Sequence, residues 1–572
     1  MRLPFSSLAT CALAALALAS TPPAFAQQAA PVPAEAPAPS PQTQTPPQTP
    51  PKLIVAISVD QFSADLFQQY REHYSQGLGR LLQGAVFPSG FQSHAATETC
   101  PGHSTLLTGV HPSRTGIVAN DWYVPGIARA DKKVYCSEDE TDPKSNSEDS
   151  VIKPDHLMAP TLGDLLKAKN PKTINAAVSF KDRAVVMMSG HTADAAYWIK
   201  GKGFVTFEDR KVSPAVVAEN QAIAAAVTAG APELPVPGWC GGVDHAIALN
   251  GPAGGFTIGT YRFPLKAGDF KGFFASPRTD EMTTDMAIRL LDEMPLGKDD
   301  VPDVLSVSYS ATDKVGHAYG NEGVEMCIQM NVLDQTIGKL LAALDARGID
   351  YAVVLSADHG GADAPERMKL QGVPEASRLD PSLTDEGLSA SVSKATGIVP
   401  KDGPLFYGAG GSGDIWVNAG LTPKQHKQAV ATLVAQLKAN PQISGVYTAD
   451  ELKKVKVPAG HPQDWTEIER VAASFYPGRS GEVLMMTKRA VVPGTRPAPG
   501  YTATHGSPWD YDRRVPMLFW RKGINRMEQA QPVETVDIAP TLAALVGLSE
   551  PAGTWDGRCL DIYAGEADSC SR

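Results

Sequence analysis

The chain has 572 residues, with 51 Lys and Arg against 62 Asp and Glu, which gives a formal net charge of −11. This length fits one α/β core with large insertions, or two to three domains. The basic residues are scattered, which argues against a nucleic-acid-binding surface, because phosphate backbones demand clustered positive charge. A small phosphorylated ligand remains compatible, since it needs only a local positive pocket.

Residues 1–26 are typical of a cleavable secretory signal. An arginine near the start precedes an apolar run over residues 8–19, and an Ala-Phe-Ala sequence ends at Ala26. The run is shorter than the about 20 apolar residues that cross a bilayer, and no later segment reaches that length. We therefore expect cleavage near Ala26 and a mature protein without a membrane span, periplasmic or secreted.

The next segment, residues 27–51, is rich in Pro with Gln, Ala and Thr, and this composition predicts an extended, disordered tether. We expect the compact domain to span residues 52–572, with insertions over about 190–300 and 365–500. Within the second insertion, an amphipathic stretch between two short strand patterns predicts a small α+β subdomain.

Cysteine usage predicts disulfide bonds. Cys11 belongs to the signal, and the six cysteines that remain are an even number in an exported chain. Cys559 and Cys570 are close in sequence and form the best candidate pair. The other pairings stay open at this point.

Four predicted strands lead into charged residues. They are Leu53–Val59, Ala176–Phe180, Val304–Tyr309 and Tyr351–Leu355. Their apolar composition, with helical stretches such as 280–294 and 326–346 between them, predicts a doubly wound, mostly parallel α/β sheet with helices on both faces. Ligand sites in such sheets lie beyond the carboxyl ends of the strands. One carboxylate there would suggest a helix cap, but four such strand ends together favour a site.

Several of these charged residues have the chemistry of metal ligands. Asp313 and His317 are four residues apart and share one face of a helical turn, while His505 lies in a loop flanked by Gly and Pro. The full candidate set is Asp60, Asp313, His317, Asp358, His359 and His505. Nitrogen and oxygen ligands without thiolate suit zinc, with manganese or iron as alternatives. Six ligands suit two metals that share a phosphate, which indicates hydrolysis at phosphorus.

The order of these motifs resembles the alkaline phosphatase superfamily, in the branch of the type I phosphodiesterases and nucleotide pyrophosphatases. The motifs are Asp60, Thr99-Cys-Pro-Gly-His103, Asp313-x3-His317, Asp358-His359 and His505-Gly506. Two further stretches, Asn120-Asp-Trp-Tyr123 and Ser179-Phe-Lys-Asp-Arg183, look like the monomeric periplasmic alkaline phosphatases of the PhoK and PafA type. The resemblance covers about residues 52–560 and implies an alkaline-phosphatase-like fold and a monomer.

The resemblance also implies a role for each motif. One zinc would be held by Asp60, Asp358 and His359 with the oxygen of Thr99, and a second zinc by Asp313, His317 and His505. Thr99 would be the nucleophile that forms a phosphothreonine, because in this branch the nucleophile stands two positions before the proline of the motif. Pro101 favours the first turn of a helix, and the positive end of a helix suits an incoming phosphate.

Other nucleophiles in this stretch are disfavoured. Sulfatases share the fold and carry a Cys two positions before the proline, whereas here Cys100 is one position later and His103 stands where an Arg is expected. Cys100 is then expected in a disulfide, with Cys136 as the pairing we consider. Ser104 has a plainer interpretation as an exposed helix position.

The substrate class depends on Lys181 and Arg183, which follow a strand and can point together into the site. By the resemblance they bind the extra charge of a phosphate monoester, and Asn120 donates a hydrogen bond to a phosphate oxygen. The sequence thus predicts an alkaline phosphatase acting on small phosphomonoesters, with side activity on diesters. A nucleotide pyrophosphatase or phosphodiesterase on the same scaffold is the alternative, and a non-catalytic phosphate-binding protein is a remote one.

The acidic stretch Ser137–Asp142 could hold Ca²⁺, but a solvated loop is favoured.

Overall fold

The computed structural model describes residues 49–410, 412–565 and 568–571. The predicted signal (1–26) and nearly all of the predicted tether (27–51) lie outside these residues, so both stay predictions. In the described part of the chain, no helix is both long enough and apolar enough to cross a membrane.

The strands of the described residues are β1 Leu53–Val59, β2 Ala85–Phe91, β3 Asp121–Tyr123, β4 Lys133–Tyr135, β5 Asn175–Ser179, β6 Ala195–Lys200, β7 Gly203–Val205, β8 Ile247–Gly251, β9 Gly254–Ile258, β10 Asp303–Tyr309, β11 Tyr351–Ser356, β12 Ser377–Arg378, β13 Phe406–Gly408, β14 Asp414–Val417, β15 Ile443–Thr448, β16 Val483–Thr487, β17 Val491–Val492, β18 Arg514–Arg521, β19 Met527–Glu528 and β20 Val533–Glu534.

The α-helices of the same residues are α1 Ala64–Tyr70, α2 Gly77–Leu81, α3 Thr99–Thr108, α4 Pro112–Thr115, α5 Leu162–Lys169, α6 Asp182–Ser189, α7 Pro214–Ala229, α8 Phe270–Phe274, α9 Arg278–Glu293, α10 Ala311–Tyr319, α11 Val324–Ala346, α12 Pro365–Leu370, α13 Asp385–Thr396, α14 Pro423–Ala439, α15 Ala449–Leu452, α16 Glu467–Ser474, α17 Asp510–Arg513 and α18 Ile538–Leu545. Short 3-10 helices cover Arg71–His73, Gly238–Val243, Pro381–Leu383, Pro462–Asp464 and Thr535–Asp537.

The central sheet has the strand order β19-β2-β18-β11-β1-β10-β5-β6-β7, with β20 also paired to β2. Its middle strands, β11, β1, β10, β5 and β6, are parallel to one another, whereas β18 is antiparallel to β11 and β2, and β7 to β6. The four predicted strands correspond to the neighbours β11, β1, β10 and β5. The predicted fold class, a mostly parallel α/β sheet, is therefore confirmed.

Both faces of this sheet are buried under helices. The side chains of Leu53, Val55 and Ile57 pack into one core with α1, α2, α7, α9 and α11, whereas Ile54 and Ala56 pack into a second core with α3, α5 and α18. Successive side chains of a strand point to opposite faces. Burial on both faces therefore explains why β1 is apolar at every position but Ser58 rather than alternating.

A second, antiparallel sheet has the order β13-β14-β16-β15 and a core of its own with α13 and α14. The predicted strand, helix and strand of this region correspond to β14, α14 and β15. Helix α14 begins at Pro423 after a Thr422–Gln425 capping box, which satisfies the free N–H groups of its first turn. The exact limits of the two insertions remain predictions.

Three disulfide bonds join Cys100 to Cys136, Cys240 to Cys327 and Cys559 to Cys570. The first and last are the pairs considered from the sequence. The Cys100–Cys136 bond attaches the first turn of α3 to the residue after β4. It thereby ties the segment that carries Thr99 to the segment that carries Asn120.

Candidate active site

The candidate site lies at the carboxyl edge of the central sheet. Asp60 directly follows β1, Asp313 is in the first turn of α10 just after β10, and Asp358 and His359 follow β11. Because these three strands are adjacent and parallel, their carboxyl ends meet at one edge. His505 reaches the same edge from the loop between β17 and α17.

The structure brings the six predicted ligand side chains together as two groups. One consists of Asp60, Asp358 and His359 and the other of Asp313, His317 and His505, and within each group the ligand atoms lie within 4.8 Å of one another. These are the groups of three suitable side chains found among the described residues. The partition is the one that the family resemblance implies.

Hydrogen bonds fix which nitrogen each histidine turns toward the site. In His317, His359 and His505, Nδ1 contacts the backbone carbonyls of Ala503, Gly360 and Thr97 at 2.9, 2.8 and 2.7 Å. A carbonyl can only accept a hydrogen bond, so each Nδ1 carries a proton. In the neutral rings, Nε2 therefore keeps its lone pair, which is the arrangement of metal-binding histidines.

These Nε2 atoms face carboxylate oxygens. His317 and His505 approach Asp313 Oδ1 at 3.2 and 3.5 Å, and His359 approaches Asp60 Oδ1 at 3.5 Å. His359 Nε2 and Asp60 Oδ1 are buried without a hydrogen-bond partner in the described part of the chain. Within each group, nitrogen and oxygen atoms with free lone pairs point toward one another. Such donors bind divalent cations, so the chemistry of both groups matches metal binding.

Lys181 lies between the two ligand groups. Its Nζ pairs with Asp313 Oδ2 at 2.6 Å and with Asp60 Oδ2 at closer range. Burial raises the pKa of Asp60 well above its usual value, with further increases from Asp313 and Asp358. Burial acts in the same direction on Asp313, but the nearby Lys181 and His317 outweigh it and hold that pKa well below its usual value. Three buried carboxylates, Asp60, Asp313 and Asp358, therefore lie close together at this edge of the sheet, and their negative charges need compensating cations.

The local backbone holds Asp358 close to Asp60. Asp358 Oδ1 accepts hydrogen bonds from the backbone N–H groups of Gln61 (3.1 Å) and His359 (3.0 Å). Gln61 adopts a φ of 67°, a left-handed conformation that costs about 1–3 kcal/mol for a residue other than glycine. Strain of this kind is found at functional sites, where the surrounding structure stabilises it.

Thr99 is the first residue of α3 and is 1 % exposed. Its Oγ1 lies 3.3 Å from Lys181 Nζ and 3.4 Å from Arg183 Nη2. Helix α3 approaches the metal-ligand segment closely at Gly102, where a Cβ atom would lie 2.0 Å from the carbonyl oxygen of Asp358. The glycine of the motif is therefore required for the contact that places Thr99 beside the ligands.

Asn120 is oriented by its hydrogen bonds. Its Oδ1 accepts from the backbone N–H of Cys100 at 2.9 Å, and its own backbone N–H donates to Glu98 at 2.7 Å. Because the amide oxygen is used in this way, the amide nitrogen is the atom available to an anionic ligand. The three predicted phosphate-binding residues, Asn120, Lys181 and Arg183, each contact Thr99 or the residue next to it.

Several residues of the site could not be singled out from the sequence. His103 was noticed only as a departure from the sulfatase pattern. Its Nδ1 lies 2.9 Å from Thr99 O and 3.0 Å from Asp358 Oδ2, and its Nε2 lies 2.9 Å from Ser308 Oγ. It therefore connects α3 to the metal-ligand segment.

Arg183 also has supporting residues that the sequence did not reveal. The Tyr135 hydroxyl contacts both Asp182 and Arg183 Nη1. Tyr135 belongs to β4, next to the disulfide-bonded Cys136, and no local sequence signal links it to Arg183. Only the folded chain brings them together.

Two weaker expectations need correction. Ser104 is fully buried rather than exposed, and its hydroxyl donates to Pro101 O at 2.7 Å. The acidic stretch Ser137–Asp142 is not simply solvated, because Glu138 is fully buried and pairs with Arg129. The neighbouring carboxylates Asp139 and Glu140 contact Lys153 and His156, so side chains of the protein already occupy the carboxylates that Ca²⁺ would need as ligands.

The fold and the two ligand groups define an α/β protein with candidate metal sites at the carboxyl edge of a mostly parallel sheet. A family model for type I phosphodiesterase / nucleotide pyrophosphatase matches residues 54–508. The chain therefore belongs to the type I phosphodiesterase/nucleotide pyrophosphatase family.

Named relatives match over nearly the whole chain. The chain is 48 % identical to the alkaline phosphatase PhoK of Sphingomonas sp., over 91 % of this chain and 93 % of that protein. It is 46 % identical to the alkaline phosphatase PhoD of Zymomonas mobilis, over 91 % and 89 %. Its structure is similar to a crystal structure of the wild-type alkaline phosphatase PafA, with a TM-score of 0.77 and 26 % identity over 90 % of this chain and 99 % of that one.

Proposed function

We propose that this protein is a zinc-dependent alkaline phosphatase that hydrolyses phosphate monoesters through a phosphothreonine at Thr99. The observation that carries the proposal is the position of Lys181. Its ammonium contacts Thr99 Oγ1, Asp60 and Asp313, so one cationic group adjoins the candidate nucleophile and both ligand groups. The names of the relatives, alkaline phosphatases at 46 % and 48 % identity, support the same activity.

Each ligand group would hold one divalent ion. Asp60, Asp358 and His359, with the oxygen of Thr99, would hold the first, and Asp313, His317 and His505 the second. Oxygen and imidazole donors without thiolate favour zinc over the alternatives manganese and iron. When bound, such a pair of ions supplies Lewis acidity and compensates the charge of the attacking and leaving oxygens.

The side chains of the protein account for binding and for the covalent step. Lys181, Arg183 and Asn120 bind the non-bridging phosphate oxygens, while the free N–H groups at the start of α3 add positive potential. Thr99 Oγ1 loses its proton and bonds to phosphorus, and the ester oxygen leaves with a proton as an alcohol. Water then attacks the phosphothreonine, which releases inorganic phosphate and restores the hydroxyl of Thr99.

Two cationic side chains favour monoesters over diesters. A monoester presents a terminal phosphoryl group with two negative charges, and a diester carries one charge and a second organic group. Lys181 Nζ and Arg183 Nη2 both lie within 3.4 Å of Thr99 Oγ1, where that additional charge would be bound. The alternative, a nucleotide pyrophosphatase or phosphodiesterase, has the support of the family description.

We also propose that the protein is exported and acts as a monomer. Residues 1–26 would be removed as a signal and residues 27–51 would act as a tether. Three disulfide bonds in the folded chain support an oxidising compartment.

The test compares hydrolysis of p-nitrophenyl phosphate and bis-p-nitrophenyl phosphate by the same purified protein. Rates are measured as purified, after chelation, and after addition of zinc, manganese or iron. We expect chelation to abolish both activities, zinc to restore them best, and the restored rate to be much higher on the monoester. A higher rate on the diester would move the assignment to a phosphodiesterase. Turnover of neither compound with zinc bound would overturn the enzymatic proposal.

A further inference from the structure

Tyr501 is an exposed aromatic side chain directly beside the candidate site. It lies four residues before His505, and 46 % of it is exposed. Its ring stacks on the ring of His317, with centroids 5.2 Å apart and planes inclined by 16°. His317 in turn contacts His505 with centroids 5.0 Å apart, and His505 stacks on His359 at 3.7 Å. Tyr501 is thus the solvent-facing end of a row of four rings.

The ring of Tyr501 is held in place. Its backbone exchanges two hydrogen bonds with Ala498, and its hydroxyl donates to Thr504 Oγ1 at 3.1 Å. The backbone N–H of Thr502 donates to His317 O at 2.6 Å, which attaches this loop to α10. A ring fixed in this way loses little conformational freedom when a ligand stacks on it.

Tyr501 also lies on the side where a leaving group departs. In the proposed reaction, Thr99 attacks phosphorus and the ester oxygen leaves toward Asp313, His317 and His505. The organic part of the substrate then lies outside this second ligand group, where Tyr501 presents a partly exposed ring. The stacking contact with His317 and the exposure of the ring place the phenol at the solvent side of this ligand group.

We propose that Tyr501 binds the planar aromatic part of the leaving group by stacking. This inference rests on the proposed phosphatase function and names its substrate class, phosphate monoesters with an aryl group or a nucleobase. An offset-stacked pair of rings changes affinity by about threefold to tenfold. A tyrosine that only covered the face of His317 would give no such preference among substrates.

The experiment uses two pairs of substrates that differ in the ring. Adenosine 5′-monophosphate is compared with ribose 5-phosphate, which has the same leaving oxygen without the base, and phenyl phosphate is compared with cyclohexyl phosphate. For each pair, the ratio of the two kcat/KM values is measured in the wild type and in Tyr501→Ala. We expect Tyr501→Ala to lower at least one ratio by about fivefold. A lower ratio for the phenyl pair would show that Tyr501 stacks on a ring attached directly to the phosphate. A lower ratio for the adenosine pair would show that it stacks on a base separated from the phosphate by the sugar.

Two further variants make the test specific. Tyr501→Phe keeps the ring and is expected to keep the wild-type ratios. Tyr261→Ala is the matched control, because Tyr261 is 40 % exposed and stacks on Tyr319 with nearly the same geometry, 5.4 Å and 16°, outside the ligand groups. Zinc content per chain is measured for every variant.

If both kcat/KM ratios are unchanged in Tyr501→Ala, the inference is overturned. It is also overturned if kcat/KM falls equally for all four substrates and zinc is lost, because Tyr501 would then only support His317. Absence of turnover of every substrate by the wild-type protein would instead overturn the phosphatase function itself.

Discussion

Thr99 is the residue on which the proposed chemistry depends most directly. Its hydroxyl oxygen lies within 3.4 Å of two cationic side chains at the start of a helix. We expect Thr99→Ala to lower kcat by about 1,000-fold or more, because it removes the attacking oxygen, whereas Thr99→Ser keeps a hydroxyl and part of the rate. Acid quenching during turnover, followed by mass spectrometry of the peptide with residue 99, should detect one added phosphoryl group in the wild type and none in Thr99→Ala.

Ser104→Ala is the matched control for Thr99. It removes a buried hydroxyl from the same helix, one that donates to Pro101 O, and most of the activity should remain. A phosphoryl group found on Ser104, or retained in Thr99→Ala, would assign the nucleophile elsewhere.

Arg183 should determine much of the preference for monoesters. Its Nη2 lies 3.4 Å from Thr99 Oγ1, and the hydroxyl of Tyr135 contacts its Nη1. A hydrogen bond between charged groups contributes about 1.5–3 kcal/mol, so Arg183→Ala should lower kcat/KM for p-nitrophenyl phosphate by about 10- to 100-fold. The change for bis-p-nitrophenyl phosphate should be much smaller, since a diester lacks the second charge.

The control for Arg183 is Lys169→Ala, which removes an exposed cation on α5 and should leave the ratio of the two rates unchanged. Equal losses on both substrates in Arg183→Ala would contradict a role in selectivity and would leave Arg183 as a general phosphate contact.

At the scale of secondary-structure elements, Gln92 connects the strand and helix segments that hold the site. It follows β2 and is fully buried. Its Nε2 donates to Gly102 O on α3 (3.2 Å) and to Ala357 O just after β11 (3.0 Å), and its Oε1 accepts from the hydroxyls of Thr105 and Thr535, both at 2.9 Å. This one amide therefore ties α3, which carries Thr99, to the segment of Asp358 and His359.

Gln92→Leu should lower the free energy of unfolding by about 2–4 kcal/mol, because it leaves buried carbonyls and hydroxyls without partners. It should also weaken zinc binding, since α3 and the ligand segment lose their common contact. Urea unfolding and zinc titration of the chelated protein measure the two effects. Gln68→Leu, on the exposed side of α1, should change neither quantity, and wild-type stability in Gln92→Leu would show that the network is dispensable.

The sequence predicted the strands that are buried on both faces, because such strands are mostly apolar along their whole length. It predicted Asp60, Asp358 and His359 for a related reason, since Asp60 directly follows β1 and the other two come two and three residues after β11. It could not predict the direction of β18, because direction depends on the connections between strands and not on composition. The roles of Gln92 and Tyr135 could not be predicted either. A single polar residue gives no periodic pattern, and the residues that these two contact are distant in the chain.

At the scale of the whole molecule, His111 connects residues near the C-terminus to the segment that leads into α4. Its Nδ1 lies 3.0 Å from Asp556 and its Nε2 lies 3.3 Å from Glu534, and Arg114 pairs with the same Asp556 at 2.6 Å. Burial acts to lower the pKa of His111, but the two carboxylates outweigh this effect and raise the pKa to about 9. The pKa of Asp556 is lowered in turn, which agrees in direction with the pairing.

The consequence is a stability that depends on pH. An unfolded histidine has a pKa near 6.5, so the fold binds the proton more tightly than the unfolded chain does. The stabilisation by His111 is then complete below about pH 6.5 and is lost as the pH rises through 9, on the order of 3 kcal/mol in all. The protein should therefore lose stability across the alkaline range in which the proposed phosphatase would act.

His111→Gln isolates this contribution because glutamine does not titrate. With zinc saturating, the difference in the free energy of unfolding between wild type and His111→Gln should be largest at pH 6 and should shrink steadily up to about pH 9.5. The control is His426→Gln, because the His426–Glu482 pair is partly exposed, with 39 % and 43 % of the two side chains accessible, and such pairs contribute about 0–1 kcal/mol. A difference for His111→Gln that stays constant over this range would mean that His111 stabilises the fold by packing alone, because only a contribution that depends on its proton can vary with pH.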